Sequence, residues 1–386
     1  MQRKCPPGLS STFFLLLLLI LVTGTTFRLQ AAYQNPILKV LLFDSSAGLF
    51  ISNPNGLTLS RKGIVIGSAK RVMVTSDAPH RLLINKKLKV DGVITVTTTG
   101  ESSVLNLDSN LKRRYLGTFT IRPFKRGLHL INHIPTESYL EGVLNAEIST
   151  RWHMEVVKAQ AVISRTFALF KRKKQSQYPW HLSSSHYDQV YKGTDISDER
   201  GRSAIRSTTG IVVGFRGQLA QTFYHSNCGG MTADPGNVWQ YRLPYLKIRK
   251  VPFGNKDPRY HWQATIKNRE MLRILKRAGV PINHVGTFAI SKRTRSNRVH
   301  ELTITGSTSH TLSGNGFRKA AGYKRIQSLL FKINRIPGGF QFQGTGNGHG
   351  VGLSQWSAKA MAEEGYKYHE ILYYFYEGVE LMRHQE

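Results

Sequence analysis

Hydrophobic and polar positions alternate with a short period through the first third of the chain, from Ile37 to about Ile131. Six short runs rich in β-branched residues are separated by Asn, Gly, Asp and Pro, a pattern typical of strands joined by turns. These runs are VLLF, GLFI, GIVIG, RVMVTS, GVITVTTT and GTFTIRP, and the segment KRGLHLINHIP closes the series. Residues 33–131 are therefore predicted to form a β-rich N-terminal part.

The period of the pattern changes to that of a helix after Pro135. In TESYLEGVLNAE the apolar positions fall near one face, and Thr136 is expected to cap the helix. A second helix is predicted through MEVVKAQAVISRTFALFKRKK, where small and apolar residues recur at intervals of three and four.

The remainder of the chain mixes both patterns. GIVVGF, FAISKR and HELTIT favour strands, whereas REMLRILKRAG, SQWSAKAMAEEG and HEILYYFYEG favour helices. We expect an α+β fold in which residues 132–386 form a larger mixed core around a cleft. Residues 246–340 are expected to be a mixed segment inserted before the motif GHGVGLSQ.

The N-terminal residues 1–32 have the pattern of a secretory signal peptide. Arg3 and Lys4 precede an apolar run, Phe13 to Val22, and Ala31 and Ala32 are candidate cleavage positions. An uncleaved membrane anchor is the alternative interpretation. Either one predicts export across the cytoplasmic membrane, to the periplasm or the cell wall.

Composition adds a strong positive charge to this picture. The 54 Lys and Arg residues exceed the 23 Asp and Glu residues, giving a formal net charge of +31. Such a surface binds polyanions. Because export argues against nucleic acid as a partner, an anionic envelope surface is the expected one. Removal of residues 1–32 would leave Cys228 as the sole cysteine, so no intramolecular disulfide is expected.

Glu147 is the first candidate for chemistry. It ends the apolar helical run VLNAE, and a carboxyl group held among aliphatic side chains loses hydration, which raises its pKa and suits it to general acid catalysis. A helix-terminal glutamate paired with one of the many Lys or Arg side chains is the alternative.

Two glycine-rich segments carry the next candidates. In HSNCGG, His225 and Cys228 have a short spacing that a zinc ion could use with His349 as a third ligand. Cys228 could also be a nucleophile with either histidine as base, or a small buried thiol. In GNGHGVG, alternating glycines bring the backbone close to whatever His349 contacts, and a helix follows.

Five segments of the chain together resemble the SpoIID/LytB family, that of stage II sporulation protein D and the amidase enhancer LytB. EGVLNAEIS and EVVKAQAVISRTFAL resemble the family's GVVAxEMP and EALKAQAVAARTYAL, and DQVYKG resembles QVYxG. FYHSNCGGMT resembles FHSTSGGxT, and GHGVGLSQW resembles GHGVGMSQY. The resemblance extends over nearly the whole chain after residue 32.

The resemblance implies a peptidoglycan lytic transglycosylase, which cleaves the β-1,4 bond between MurNAc and GlcNAc and leaves a 1,6-anhydro-MurNAc end. It implies that Glu147 is the single catalytic carboxyl group and that the glycan strand has lost its stem peptides. The motif positions expected to bind substrate are Gln160, Arg165, His225, Ser226, His349 and Gln355. The alternative implied by the resemblance is a non-catalytic, LytB-like protein that binds glycan and enhances a wall amidase.

Two departures from the family pattern bear on the site. Ile148 and Ser149 replace the Met-Pro pair after the catalytic glutamate, which could change how the helix ends. Some relatives have a cysteine-containing zinc site near QVYxG, but here the neighbourhood has only His186 and Asp188. We therefore expect no zinc and no other cofactor.

Overall fold

The structure is a computed structural model that describes residues 33–125, 127–239 and 241–385. The predicted signal peptide or anchor, residues 1–32, lies outside the described residues. Residues 35–384 belong to one compact unit. In the described part, no helix is both long and apolar enough to span a bilayer.

Eleven strands form one large, almost entirely antiparallel sheet. They are β1 (Ile37–Ser45), β2 (Leu49–Arg61), β3 (Ile64–Ala78), β4 (Arg81–Ile84), β5 (Leu88–Asp91), β6 (Ile94–Thr98), β7 (Ser102–Asn106), β8 (Leu111–Tyr115), β9 (Thr118–Phe124), β10 (Gly127–Pro135) and β11 (Leu182–Ser183). The main order is β11-β1-β10-β9-β6-β2-β3-β4-β5, with β7 between β2 and β8 on a branch. Only the short β11 pairs in parallel, with β1.

The helices that follow pack on this sheet and share its core. They are α1 (Thr136–Glu147), α2 (Met154–Lys174) and α3 (Glu199–Ser207), with a 3-10 turn at Gly193–Ile196. Their buried faces are aliphatic because apolar residues recur every three or four positions, as in Leu140, Val143 and Leu144 of α1. Strands β12 (Ile211–Phe215), β13 (Gln218–Leu219) and β14 (Tyr224–His225) and the short α4 (Gly236–Trp239) come next.

The segment after residue 260 has a second hydrophobic core of its own. Its elements are β15 (His261–Lys267), α5 (Asn268–Arg277), β16 (Thr287–Arg293), β17 (Val299–Thr305), β18 (Ser309–Ser313), α6 (Gly314–Ala321), β19 (Phe331–Ile336) and β20 (Gly339–Thr345). The chain then returns to the first core through β21 (Leu353–Ser354), α7 (Gln355–Glu363), α8 (Tyr368–Phe375) and β22 (Glu380–Arg383).

The expected α+β class is confirmed, because an antiparallel sheet and packed helices occupy separate parts of the chain. Both predicted helices of the first core have the predicted bounds. The predicted cap is wrong: Pro135 precedes the helix, and the Thr136 hydroxyl donates to the Pro36 carbonyl oxygen at 2.6 Å. GIVIG and RVMVTS lie in one long strand, β3, and the pattern did not reveal β4, β5, β7 or β8.

Candidate functional site

Glu147 occupies the last position of α1. The helix ends there because Ile148 is extended, with φ −137° and ψ 167°, while its N–H still donates to the Leu144 carbonyl oxygen. Ile148 is itself 5% exposed, so an aliphatic side chain anchors the turn where the family pattern has Met-Pro. The departure from the pattern therefore leaves the helix end well defined.

The Glu147 carboxyl group lies in a partly buried position with two hydrogen-bond donors. The Val190 N–H donates to Oε1 at 2.9 Å, and the Tyr224 hydroxyl lies close enough to the carboxylate to favour its anion as a second donor. Burial raises the pKa of Glu147, and these two donors and the nearby Lys192 charge reduce that effect. The group is therefore easier to protonate than an exposed glutamate, yet the anion has donors ready to stabilise it.

Gln189 organises the donors around Glu147 from a fully buried position. Its Nε2 donates to the Tyr224 hydroxyl oxygen at 3.2 Å and to the Ser164 carbonyl oxygen at 3.4 Å. Its Oε1 accepts from the Tyr139 hydroxyl at 3.2 Å. Because the Tyr224 oxygen accepts from Gln189, its proton is available to another acceptor, and the Glu147 carboxylate lies beside it.

Gln189 lies in the motif DQVYKG and Tyr224 in the motif FYHSNCGG, although no role was expected for either residue. Their place in those two motifs was the available signal, since nothing in periodicity distinguishes a buried polar residue that serves a site from one that serves the core.

Gln160 and Gln355 extend this polar network away from Glu147. Gln160, on α2, donates to the Ser164 hydroxyl at 3.0 Å, and its Oε1 accepts from Gln355 Nε2 at 3.3 Å. Both glutamines are buried. Hydrogen bonds therefore join the predicted site residues Gln160 and Gln355 to Ser164, Gln189 and Tyr224, and the Tyr224 hydroxyl lies beside Glu147.

The glycine-rich loop places His349 beside His225, with ring centroids 5.2 Å apart. Strands β14 and β21 pair in parallel, and Asn227 bridges to Asn347, so the two motifs are held together by backbone hydrogen bonds. Gly348 has φ +120°, and a Cβ there would lie 2.6 Å from the His225 Cβ. Glycine is needed at this position for the loop to approach the histidine.

Hydrogen bonds fix the tautomers of both histidines. His349 Nδ1 accepts from the Val351 N–H at 3.1 Å, so Nε2 carries the proton and donates to the Tyr224 carbonyl oxygen at 3.0 Å. His225 Nδ1 donates to the Val351 carbonyl oxygen at 3.1 Å. Its Nε2 is buried without a hydrogen-bond partner among the described residues.

Both imidazoles are held neutral. Burial, with the nearby Arg318 charge, lowers the pKa of His349 to about 3, and burial and His349 lower the pKa of His225 well below its ordinary value. Neither ring is suited to transfer protons near neutral pH. Through its Tyr224 contact, His349 instead fixes the residue that donates to Glu147.

Ser226 and the aromatic residues nearby complete the surroundings. Ser226 is partly exposed, and its carbonyl oxygen accepts from the Trp356 N–H at 3.0 Å, at the start of α7. Trp356 lies against Trp152 with centroids 4.9 Å apart, and Trp239 lies 5.0 Å from the His349 ring. These three indoles are partly exposed.

Arg165 does not join the other predicted site residues. Its side chain is fully buried and forms a bidentate ion pair with Glu137, at 2.8 and 2.7 Å, and also donates to the Ile211 carbonyl oxygen at 3.0 Å. Glu137 and Glu147 are ten residues apart on α1, or about 15 Å along the axis. The position of Arg165 thus supports a role in holding α1 against α2, in place of the expected contact with substrate.

Cys228 is fully buried, with its Sγ 3.9 Å from the Ser357 hydroxyl oxygen and its N–H donating to the Ser354 hydroxyl. The geometry favours the small buried thiol among the three interpretations, because a substrate would not reach the sulfur.

Asp188 pairs with Lys171 at 2.6 Å, and His186 is exposed. In the described ranges, no three His, Cys, Asp or Glu side chains are grouped to hold a metal ion.

Comparison with protein families gives two matches. Residues 125–215 match the family described as SpoIID, stage II sporulation protein, and residues 247–352 match a domain of unknown function, DUF8618. The first range contains Glu147, Gln160 and Gln189.

Curated relatives extend the similarity. The chain is 29% identical to stage II sporulation protein D of Bacillus subtilis over 266 residues, which are 65% of this chain and 75% of the relative. It is also 29% identical to an uncharacterised protein of Brachyspira hyodysenteriae over 269 residues, 69% of this chain and 72% of that one. Over 291 residues it is 26% identical to the amidase enhancer of B. subtilis, covering 63% of this chain and 40% of the enhancer.

The SpoIID match falls on the helix pair that carries Glu147, and the relatives bear both family names. The SpoIID domain and these relatives together support the placement of the chain in the SpoIID/LytB family.

Proposed function

We propose that this protein is a peptidoglycan lytic transglycosylase in which Glu147 is the one catalytic carboxyl group. Family membership supports a function related to sporulation or the cell wall. The observation that carries the finer proposal is the environment of Glu147: a raised pKa from burial, with two hydrogen-bond donors on its oxygens.

The first half of the reaction uses the raised pKa. Protonated Glu147 donates its proton to the glycosidic oxygen as the bond from that oxygen to the MurNAc C1 breaks. The carboxylate that remains keeps the hydrogen bond from the Val190 N–H, and the nearby Tyr224 hydroxyl and Lys192 charge further stabilise it.

The second half regenerates the acid. The C6 hydroxyl of the same sugar attacks C1, and its proton passes to the Glu147 carboxylate, leaving the 1,6-anhydro end. An intramolecular nucleophile removes the need for the second carboxylate that most glycosidases use. The acidic residue of the adjacent motif, Asp188, is engaged by Lys171 and by the Ser183 N–H.

Digestion of peptide-free glycan strands, followed by mass spectrometry, tests this proposal. The wild-type protein should release products with 1,6-anhydro-MurNAc ends, and Glu147→Gln should abolish their release. Glu141→Gln is the matched control: Glu141 lies on the same helix but accepts from the Ser197 hydroxyl at 2.9 Å. Anhydro products at the wild-type rate from Glu147→Gln, or reducing ends from the wild-type protein, would show that the mechanism is wrong.

A second candidate is an enhancer of a wall amidase, favoured by the relative named amidase enhancer. Under this alternative the protein binds glycan and stimulates the amidase without cutting the strand. Stimulation of a purified wall amidase that persists in Glu147→Gln, together with no anhydro products from the wild-type protein, would support the enhancer and contradict the transglycosylase.

We also propose that the protein is exported, which places it with its substrate. The order of charged, apolar and small residues in residues 1–32 supports this proposal. N-terminal sequencing of protein recovered from the envelope should find a start near Ala32 if the segment is a cleaved signal peptide. If the segment is an uncleaved anchor, sequencing should instead find the first residues of the chain. Recovery only from the cytoplasm would contradict export.

A further inference from the structure

A cavity of about 850 Å³ lies beside the HSNCGG segment. Gly229, Gly230 and Met231 form one wall, and strands β15, β20 and β19 form another. Its volume falls within the ~300–1,000 Å³ typical of ligand sites. None of the residues that carry the proposed mechanism lines this cavity, so it is a separate feature of the fold.

Strand register places polar side chains in a row across one wall. In the three-stranded sheet, Gln263 pairs with Gln343, and Gln343 pairs with Lys332, so these side chains share one face. All three are exposed. Two amides and an ammonium group at neighbouring positions offer donors and acceptors suited to the hydroxyl, amide and carboxylate groups of a sugar chain.

The charge of the cavity is positive and uncompensated. Lys332 and Arg293 line it, and none of its lining residues is Asp or Glu. Arg293 donates to the carbonyl oxygens of Asn297 and Phe331, each at 2.8 Å, so backbone oxygens hold it in place. In the part of the chain that is described, no carboxylate lies within ion-pair distance of Lys332.

A buried arginine makes the opposite wall rigid. Arg298, 3% exposed, donates to the carbonyl oxygens of Cys228 and Met231 at 2.8 and 2.9 Å. Its charge adds to that of Arg293 and Lys332. Trp262, which also lines the cavity, has a buried indole N–H without a partner among the described residues, a donor that a bound ligand or water could satisfy.

The cavity adjoins the motif that carries Tyr224. Tyr224, whose hydroxyl lies beside Glu147, is five residues before Gly229, so the Cα atoms of Tyr224 and Gly229 are at most about 18 Å apart. One short segment of chain therefore joins the cavity to the surroundings of Glu147.

We propose that this cavity binds a sugar of the glycan strand that carries a carboxylate, several bonds from the point of cleavage. Lys332 pairs with the carboxylate, and Gln263 and Gln343 bind the neighbouring polar groups. The inference rests on the proposed function for the identity of the strand, but the binding it describes does not require cleavage.

Isothermal titration calorimetry of the Glu147→Gln variant with a short MurNAc–GlcNAc oligosaccharide tests the inference. Introducing Lys332→Glu into this variant should weaken binding roughly tenfold or more, because a charge-assisted contact becomes a repulsion. The same oligosaccharide with its lactyl groups methyl-esterified should show a much smaller difference. Lys87→Glu, an equal charge change at an exposed turn, is the matched control and should bind as well as its parent.

Unchanged binding in Lys332→Glu, or an equal loss in Lys87→Glu, would overturn the inference. The two proposals fail separately. If the wild-type protein forms no anhydro products but Lys332→Glu loses carboxylate-dependent binding, the transglycosylase is wrong and the site stands. If cleavage depends on Glu147 but Lys332→Glu does not change binding, the proposed carboxylate site in the cavity is wrong and the proposed transglycosylase activity stands.

Discussion

Replacing His349 with glutamine should change how the stability of this protein depends on pH. The pKa of His349 in the folded protein is about 3, against 6.5 ordinarily, because the ring is buried beside arginine charges. The unfolded chain therefore takes up a proton first as pH falls. Stability from this residue is complete above about pH 6.5 and is lost progressively as pH falls toward 3.

The size of the effect follows from the two pKa values. Between pH 7 and pH 5 the unfolded state gains about 2 kcal/mol from protonation of this one histidine, whereas the folded state gains almost nothing. His349→Gln removes that term. The variant should be less stable at pH 7, since it breaks the bonds to Tyr224 and Val351, but the stability difference from wild type should shrink by about 2 kcal/mol at pH 5.

Urea denaturation at the two pH values measures this difference directly. The difference in unfolding free energy between wild type and His349→Gln is compared at pH 7 and pH 5. The cost of the lost hydrogen bonds is the same at both pH values and cancels in this comparison. His300→Gln, at an exposed position of β17, is the control and should keep the wild-type pH dependence. A stability difference between wild type and His349→Gln that is the same at pH 5 and pH 7 would refute the reasoning that His349 is held neutral.

Three other substitutions test separate parts of the site. Arg165→Leu should cost about 3–5 kcal/mol of unfolding free energy in urea denaturation, because it leaves Glu137 partly buried without its partner. Gly348→Ala should cost about 1–3 kcal/mol in the same assay, since the added methyl group meets His225 at a positive φ. Tyr224→Phe should move the alkaline limb of the glycan-cleavage pH profile to higher pH. The reason is that it removes a hydroxyl group that lowers the pKa of Glu147, the general acid.

Matched variants separate these effects from general ones. Arg206→Leu breaks an exposed ion pair with Glu199 and should cost under about 1 kcal/mol. Gly338→Ala keeps a positive φ but meets nothing within 4 Å, so it should cost less than Gly348→Ala. Tyr178→Phe, at an exposed position, should leave the pH profile unchanged. An equal loss of stability within the arginine pair or the glycine pair, or an equal shift of the pH profile within the tyrosine pair, would contradict the role given to the residue of the site.

Much of the local structure could be read from the pattern of residues. The bounds of α1 and α2 follow from apolar periodicity. The strands that were missed, such as β4 and β8, are four or five residues long and rich in Arg and Lys or bounded by turns. Their strand character comes from pairing with neighbours, which a local pattern does not contain.

The sequence by itself determined the helix that ends at Glu147, the glycine spacing around His349 and the family to which both belong. Tertiary structure alone decided which polar groups meet. Gln160 and Gln355 are 195 residues apart in the chain, and Val190 is 43 residues from Glu147, yet both pairs are hydrogen-bonded. Packing likewise paired Arg165 with Glu137 and placed the Tyr224 hydroxyl beside Glu147. A residue's type fixes the bonds it can form, but only the packing of distant elements determines which partner is present and how far burial shifts a pKa.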